Sequence, residues 1–496
     1  MGLVAKLSLW YSKKVHNENE KWIKNPIDYQ ARVLKGLITE GKKTQFGIDH
    51  NFKNIKNYQD FKKAVSISDY EDLKPYINKV LEGKENILWP GKPLYFCKTS
   101  GTTSGVKYIP ISKQSMPYHL KCAKDAILNY IYETKKTSFL DGKNMFIQGS
   151  PVLDFSKKIP IGRLSGIVAH HLPWYLKSNN LPSYQTNCID DWEDKVDKIV
   201  EETIDKNMGI ISGIPPWVQM YFEKICSIRK QSISQVFPNF SLFIYGGVNF
   251  EPYKKRFFDL IGKEVASIET YPASEGFIAY QNKQNDEGLL LCLNHGIFYE
   301  FIEAQSYFDE KPTRIDLSQV ELGVNYAIIL NTNAGLWGYS IGDTVKFVSK
   351  NPYKIVVSGR IKHFTSAFGE HVIGKEVEEG LKQSCLELKI GINEFHVAPQ
   401  INPNNGLPFH EWLIEFDQLP KNMDKFASLL DQNMRKQNSY YNDLIEGNVL
   451  RPLLITSIKK GGFNSYMKSV GKLGGQNKVP RLSNDRKIAD TLIQHT

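Results

Sequence analysis

Residues 94–110 constrain the fold more than any other stretch. An apolar lead-in, Leu94-Tyr95-Phe96-Cys97, runs into Thr99-Ser100-Gly101-Thr102-Thr103-Ser104-Gly105, and after Val106-Lys107 the chain is extended again at Tyr108-Ile109-Pro110. Two strands joined by a polar glycine loop are therefore predicted. The glycines let successive backbone N–H groups point one way. The hydroxyls of Ser100, Thr102, Thr103 and Ser104 and the ammonium of Lys107 add donors, so the loop can wrap an anion such as phosphate. The Walker A spacing is absent, because Gly101 and Gly105 stand one residue too close and Lys107 is displaced. On these residues alone a plain polar β-turn between two strands is an equal alternative.

Three further polar interruptions follow strand-like runs. Leu242–Tyr245 meets Gly246-Gly247-Val248-Asn249 and then a helical pattern over Tyr253–Ile261, the order of an α/β sheet that binds ligands at its strand ends. A strand over Val265–Glu269 is predicted to end at Thr270-Tyr271-Pro272-Ala273-Ser274-Glu275-Gly276. Leu289–Leu293 and Phe298–Ile302 read as strands of a β-rich segment. The third interruption is Leu336-Trp337-Gly338-Tyr339-Ser340-Ile341-Gly342-Asp343, followed by strands at Val345–Val348 and Ile355–Val357.

Before the first loop the chain reads as helix, with starts at Asn25-Pro26 and at Ser68-Asp69 and stops at Gly41 and Gly83. A long amphipathic helix is predicted over Ser112–Leu140 and a strand over Met145–Gln148. Residues 154–190 read as irregular. Within them His170 and His171, being adjacent, cannot both face one site on a regular element, so one in the wall and one in solvent is expected rather than a metal pair. Ser358-Gly359-Arg360 marks a boundary. Beyond it helices and strands alternate as in a small α/β lid, with a Gly/Lys-rich tail at Lys472–Leu482. The fold class is α/β, with domains at 1–357 and 363–496 and a link at 358–362.

The 496 residues exceed one ordinary domain, and 41% hydrophobic with 23% charged residues fits a soluble globular protein. No apolar run is long enough to span a bilayer. The N-terminal apolar residues are interrupted by Lys6 and lack a small-residue cleavage site, so an amphipathic helix is expected there rather than a signal peptide. The six cysteines are scattered without a C-x-x-C pair, which argues against a zinc site or disulfide framework and for a reducing cytoplasm. The net charge of +10 suits anionic substrates, and no basic-aromatic motif speaks for nucleic acid.

The stretch Thr99–Lys107 resembles the phosphate loop of the adenylate-forming superfamily of acyl-CoA synthetases, adenylation domains and luciferase. Its continuation, Lys107-Tyr108-Ile109-Pro110, is similar to one branch, the auxin-responsive GH-three acyl-acid amido synthetases. Nearly the whole chain shares the resemblance, through Thr44–His50, Tyr70–Tyr76, Leu88–Gly91, Tyr271–Glu275, Tyr299–Ile302, Gly338–Asp343 and Lys478-Val479-Pro480-Arg481.

The resemblance implies an adenylate-forming fold: a large N-terminal domain of helix-covered β-sheets with a β-barrel-like part, and a small mobile C-terminal lid hinged at Gly359–Lys362. It implies ATP and Mg²⁺ as cofactors. Carried over by position, Ser100, Gly101, Thr102, Thr103, Ser104 and Lys107 would hold the β/γ-phosphates, and Gly246, Gly247, Val248 and Asn249 would line the adenine pocket. Tyr271 would stack on adenine, Ser274 would contact the α-phosphate and Glu275 would ligate Mg²⁺. Asp343 would accept both ribose hydroxyls, with Arg360 beside the nucleotide. Pro272 stands where the family has a small hydroxyl residue or alanine. Lys478 is the first candidate for the lid cation, with Lys362 and His371 as competitors. Leu164, Ile167, Ile214, Trp217 and Tyr245 would line the acyl pocket.

The implied partners are a carboxylic acid and an amino acid, without nucleic acid or a membrane span, in a monomer or weak dimer. Transfer to coenzyme A or a carrier thiol is the nearest alternative, and a non-catalytic nucleotide-binding protein a more distant one. Glu275 as a helix N-terminal carboxylate, Asp343 as a turn residue and Lys478 as a solvated lysine are the structural alternatives.

Overall fold

The computed structural model describes residues 3–100, 106–173, 177–189, 191–247, 250–361, 364–365, 372–401, 403–447, 449–473, 478–483 and 485–494. They form two compact units. The first comprises residues 1–248, 260–341 and 345–356, and the second residues 249–259, 342–344 and 357–496.

Two sheets build the first unit. In the smaller, β1 (Tyr95–Ser100) pairs antiparallel with β2 (Val106–Ile111) and parallel with a two-residue strand that is fourth in the chain. The larger sheet begins with β3 (Lys143–Phe146); the two-residue strand just mentioned is β4 (Ile161–Gly162). Then come β5 (Asn180–Leu181), β6 (Met208–Ser212), β7 (Leu242–Gly246), β8 (Ala266–Ala273), β9 (Gly276–Tyr280) and β10 (Leu289–Leu291). They continue as β11 (Ile297–Glu303), β12 (Arg314–Asp316), β13 (Asn325–Thr332), β14 (Tyr339–Lys350) and β15 (Tyr353–Arg360). The order across the larger sheet is β12-β11-β13-β14-β15-β10-β9-β8-β7-β6-β3-β5. From β5 to β8 all pairings are parallel, and β8 turns back on β9 antiparallel. The β-rich segment thus continues the same sheet that carries the parallel strands.

Of the parallel strands, β6 (Met208–Ser212) and β7 (Leu242–Gly246) begin with apolar, buried residues, as strands inside an α/β sheet do. Helix Met116–Thr134 packs on β8 and β9, helix Leu3–Ile23 packs on that helix, and Pro26–Gly41 packs on β11. The N-terminal apolar residues therefore belong to a packed helix, although Leu7 and Trp10 stay exposed. Helix Tyr70–Leu81 begins at a capping box in which the Asp69 side chain accepts from the backbone N–H of Asp72 and the Asp72 side chain from that of Asp69. Trp337 is fully buried among Phe46, Phe52 and Trp89 and donates its indole N–H to the Leu88 carbonyl at 3.0 Å. The buried Arg314 guanidinium grips Glu300 through both carboxylate oxygens at 2.5 and 2.9 Å, so Glu300 of the Tyr299–Ile302 motif anchors the sheet.

Several predicted boundaries shift. The expected Ser112–Leu140 helix runs only from Met116 to Thr134, because Lys135 adopts a left-handed C-cap with φ +59°. Residues 154–190 contain the helix Leu164–His170. Strand β8 runs on through Thr270–Ala273 instead of ending at Glu269, with a bulge between Tyr271 and Pro272. Proline lacks the N–H that the ladder would use, so the strand kinks there.

The second unit holds the short pair β16 (Phe364–Thr365) and β17 (Val372–Ile373), and the sheet β18 (Ile392–Gln400), β19 (Phe409–Phe416) and β20 (Leu454–Ile458). Every residue of the central β19 is buried. Helices Gly374–Leu388 and Met423–Gln437 pack together. The segment 478–483 runs along β18, with the Val397 N–H donating to the Arg481 carbonyl (2.9 Å) and the Ser483 N–H to the Val397 carbonyl (3.0 Å).

Candidate active site

In the first unit the C-terminal ends of the parallel strands lie side by side. The Ile147 N–H donates to the Ser212 carbonyl (2.9 Å), the Gly213 N–H to the Ile244 carbonyl (3.1 Å), and the Thr270 hydroxyl to the Tyr245 carbonyl (2.9 Å). Crevices at such strand ends are where α/β sheets bind ligands. Gly246 pairs with Thr270 in register, and a Cβ built there would come within 2.4 Å of the Thr270 carbonyl oxygen. Gly247 follows with φ +83°, a conformation that side-chain-bearing residues rarely adopt. Backbone is thereby presented openly beside Tyr271, which is 9% exposed.

The strand that carries the glycine loop reaches the same place. Residues Ser100 and Val106 are paired across β1 and β2, so residues 101–105 connect a hairpin. One position earlier in the chain than Lys98, the Cys97 thiol, fully buried, donates to the Ser274 hydroxyl at 3.0 Å. Burial, reinforced by the negative charge of Glu275, pushes the Cys97 thiol up to about 12, against the lowering effect of the Ser274 hydrogen bond. Ser274 and Glu275, both half-buried in the turn from β8 to β9, therefore stand beside the strand leading to the loop. Lys107 is on β2, its ammonium 5.7 Å from the centre of the Tyr70 ring, a cation–π contact with helix Tyr70–Leu81. The Tyr70 hydroxyl in turn accepts from the Tyr108 N–H at 2.9 Å.

The expected acyl-pocket residues separate by burial. Leu164 is 9% and Ile167 0% exposed, and both pack in the core that holds Phe96 and Cys97. Ile167 thus has no accessible surface and is wholly enclosed in that core. Trp217 is buried with its ring 4.9 Å from that of Trp192. Ile214, at the start of helix Pro215–Arg229, and Tyr245, stacked on Phe243 at 5.3 Å, are half-buried and keep some surface. His170 is exposed, and His171 is half-buried with Nε2 3.1 Å from the Tyr95 hydroxyl.

In the second unit, the Arg360 Nε lies 2.7 Å from the Asp343 carboxylate. Asp343 is within β14 rather than in a turn, and Arg360 is the last residue of β15. Lys478 belongs to the same charge cluster. Desolvation first, then the Arg360 guanidinium, pull its ammonium down to about 8, opposed by Asp343 and Glu378. The rest of the residue is exposed. The structure thus gathers Asp343, Arg360 and Lys478. Of the remaining predicted residues, Gly101, Thr102, Thr103, Ser104, Val248, Asn249, Lys362 and His371 lie outside the described residues.

Two groups escaped sequence reasoning. Cys97 gave no signal beyond its place in the lead-in strand. Arg481 stands in the quoted Lys478–Arg481 motif, yet its partners are distant in sequence. Its guanidinium donates to the Tyr253 hydroxyl (2.8 Å) and pairs with Glu378 (3.0 Å) and Glu394 (3.5 Å), while the Tyr253 hydroxyl donates to Glu394 (2.9 Å).

Known proteins give the same organisation. Models of the GH3 family N-terminal, central and C-terminal domains match residues 15–265, 290–360 and 375–487. The chain is 22% identical to jasmonoyl–L-amino acid synthetase JAR6 of Nicotiana attenuata over 97% of this chain and 95% of that protein. It is 21% identical to indole-3-acetic acid-amido synthetase GH3.3 of Arabidopsis thaliana over 95% and 92%. Among solved structures, AtGH3.15 acyl acid amido synthetase in complex with 2,4-DB superposes with a TM-score of 0.79 at 16% identity, covering 98% of this chain and 96% of that one. A 2-hydroxyisobutyryl-CoA ligase in the postadenylation state has a TM-score of 0.59 at 11% identity, covering 95% and 93%.

Proposed function

This chain belongs to the GH3 family, and we infer that it is an ATP-dependent acyl-acid amido synthetase, a ligase that forms carbon–nitrogen bonds through an acyl-adenylate. The observation that carries the reading is the Cys97–Ser274 contact, which ties the glycine-loop strand to the Tyr271–Glu275 turn at the ends of β7 and β8. A loop suited to phosphates and a turn suited to the α-phosphate are thereby held together.

The chemistry follows from the electrophile. A carboxylate is inert to amines because its leaving group would be oxide. Attack of one carboxylate oxygen on the α-phosphorus of ATP breaks the α–β bond, releases pyrophosphate and leaves an acyl-adenylate. The amine nitrogen of an amino acid then attacks the carbonyl, AMP departs with the bonding electron pair, and the amine loses a proton as the amide forms.

The first step crowds anions, so charge must be neutralised at the phosphates. In our reading Ser100–Ser104 and Lys107 hold the β/γ-phosphates, and Ser274 orients the α-phosphate. Gly246–Asn249 and Tyr271 receive adenine. Asp343 accepts the ribose hydroxyls through lone pairs that its Arg360 pair leaves over. Glu275 suits Mg²⁺, being a hard oxygen donor beside Ser274 whose charge is already felt by Cys97. The ion, when bound, would offset the charge of the transferring phosphates. Lys478 is the lid cation, with Lys362 and His371 as the other candidates.

The large domain, a hinge at 358–362 and a C-terminal lid at 363–496 complete the proposal. The acyl substrate is an aromatic or aliphatic carboxylic acid, as suits Leu164, Ile214, Trp217 and Tyr245. We place the enzyme in the cytoplasm as a monomer or weak dimer; no described helix is long and apolar enough to cross a membrane. ATP–pyrophosphate exchange over a panel of carboxylic acids, followed by product mass with amino acids or coenzyme A, tests the reading. An acyl–amino acid product is expected. A thioester would support the second reading, acyl-CoA ligation, which the likeness to the 2-hydroxyisobutyryl-CoA ligase keeps in view.

A further inference from the structure

Among residues given no role above, the first unit contains a second chemical cluster. Cys122 on helix Met116–Thr134, Cys292 just after β10 and His295 in the turn before β11 bring their ligating atoms within 4.8 Å of one another. All three are buried: the cysteines are 0% exposed and His295 2%. Neither buried ring nitrogen of His295 has an oxygen or nitrogen partner, and the Cys122 thiol is its one close polar neighbour among the described residues. Its ring is fixed by edge contacts with Tyr118 (5.4 Å) and Trp22 (6.1 Å), which supply no acceptor. Tyr280, whose buried hydroxyl is also without a partner, borders the same two thiols.

A buried imidazole with neither nitrogen paired to oxygen or nitrogen needs an explanation, since native interiors pair nearly all such groups. Two thiols as filler would explain the cysteines but give the imidazole only a weak sulfur partner on one side. A thiophilic metal ion satisfies it. Two thiolates and a neutral imidazole around Zn²⁺ carry no net charge, which suits an apolar interior. Sulfur ligands at about 2.3 Å from a tetrahedral centre lie about 3.8 Å apart, so the present spacing closes on the ion with a small contraction. Mg²⁺, which prefers oxygen, does not fit this donor set.

We propose that Cys122, Cys292 and His295 supply three ligands of a buried site for a thiophilic metal ion, Zn²⁺ in the first place, whose fourth, tetrahedral position the unpartnered Tyr280 hydroxyl borders. It would pin helix Met116–Thr134 to the turn between β10 and β11 and would take no part in the reaction. The absence of a C-x-x-C pair spoke against a zinc site in the sequence, but Cys292-Leu293-Asn294-His295 is a C-x-x-H spacing, and folding brings Cys122 to it from a distant element.

The test measures metal rather than activity, so it stands independently of the proposed reaction. Purified full-length protein is dialysed and its zinc and copper content determined. A second sample is denatured, stripped of metal and refolded with Co²⁺. About one equivalent of zinc or copper per chain is expected, together with sulfur-to-cobalt charge-transfer absorption in the refolded protein. Cys122→Ser and Cys292→Ser should abolish both, while Cys385→Ser retains both. The wild-type cobalt spectrum keeps the test decisive should the serine variants fail to fold. Metal-free protein that refolds without a cobalt band, or a mass short of two hydrogens with Cys122 and Cys292 cross-linked, would overturn the proposal.

Discussion

The Cys97 thiol donates to the Ser274 hydroxyl across 3.0 Å, joining residues 177 positions apart. Ser274 is thereby held where β1 delivers the glycine loop. Cys97→Ala should leave a small cavity costing on the order of 1 kcal/mol in urea unfolding. It should also slow pyrophosphate exchange about tenfold by freeing Ser274, and Cys97→Ser should recover much of that rate. A stability loss with an unchanged exchange rate would reduce Cys97 to packing.

Glu275→Gln keeps the shape and removes the charge. Pyrophosphate exchange should fall on the order of 10²–10³-fold while far-ultraviolet circular dichroism stays unchanged. Exchange near wild type at saturating Mg²⁺ would remove Glu275 as the metal ligand.

Lys478 gives a pH signature. Its ammonium titrates near 8, so the charged form dominates below that pH and is lost above it. If it serves adenylation, kcat/KM for ATP in the exchange assay should decline as pH rises through about 8, since this ratio reports free-enzyme groups. Lys478→Arg should hold its rate at higher pH. Lys478→Ala should slow adenylation more than transfer from preformed acyl-adenylate. A flat profile together with a silent alanine variant would pass the role to Lys362 or His371.

Gly246→Ala drives a methyl group into the Thr270 carbonyl, 2.4 Å away. The strands must part or shift, at a cost of about 1–3 kcal/mol. Equilibrium unfolding should show that loss, and the KM for ATP should rise.

Arg481→Met leaves Glu394 and Glu378 without their guanidinium, a loss of about 3 kcal/mol for a largely buried pair. Desolvation already raises the Glu394 carboxyl, and Arg481 is what restrains it. Without Arg481 its folded-state pKa climbs further above the unfolded value, so stability increases as pH falls through that window. The deficit should therefore be larger at pH 8 than at pH 5 in urea unfolding. Equal deficits would mean that Glu394 does not carry the effect.

Much of the site could be read before any coordinates. Leu242–Tyr245 and the glycines after it are a strand and its exit, because an apolar run followed by a glycine pair has few other folded forms. The polar interruptions were harder. Thr270–Ala273 and Asp343 look like turns by composition, yet both lie within strands. Ladder partners such as Ala279 opposite Tyr271 stabilise an extended backbone that local propensity does not favour. Ile167 carries in the sequence no mark of which way it faces, and only packing shows that it is fully buried.

The sequence by itself determined the local chemistry: a donor-rich loop between two strands, glycine at Gly246, a carboxylate at Glu275 and a basic motif at Lys478–Arg481. Backbone freedom, hydrogen-bonding capacity and charge are properties of residues and short spacings. Only the tertiary structure decided which of these groups meet. Cys97 with Ser274, and Cys122 with Cys292 and His295, are encounters between distant segments, while Asp343 meets Arg360 from the next strand. They are set by strand order and core packing, which depend on the whole chain burying its apolar surface at once.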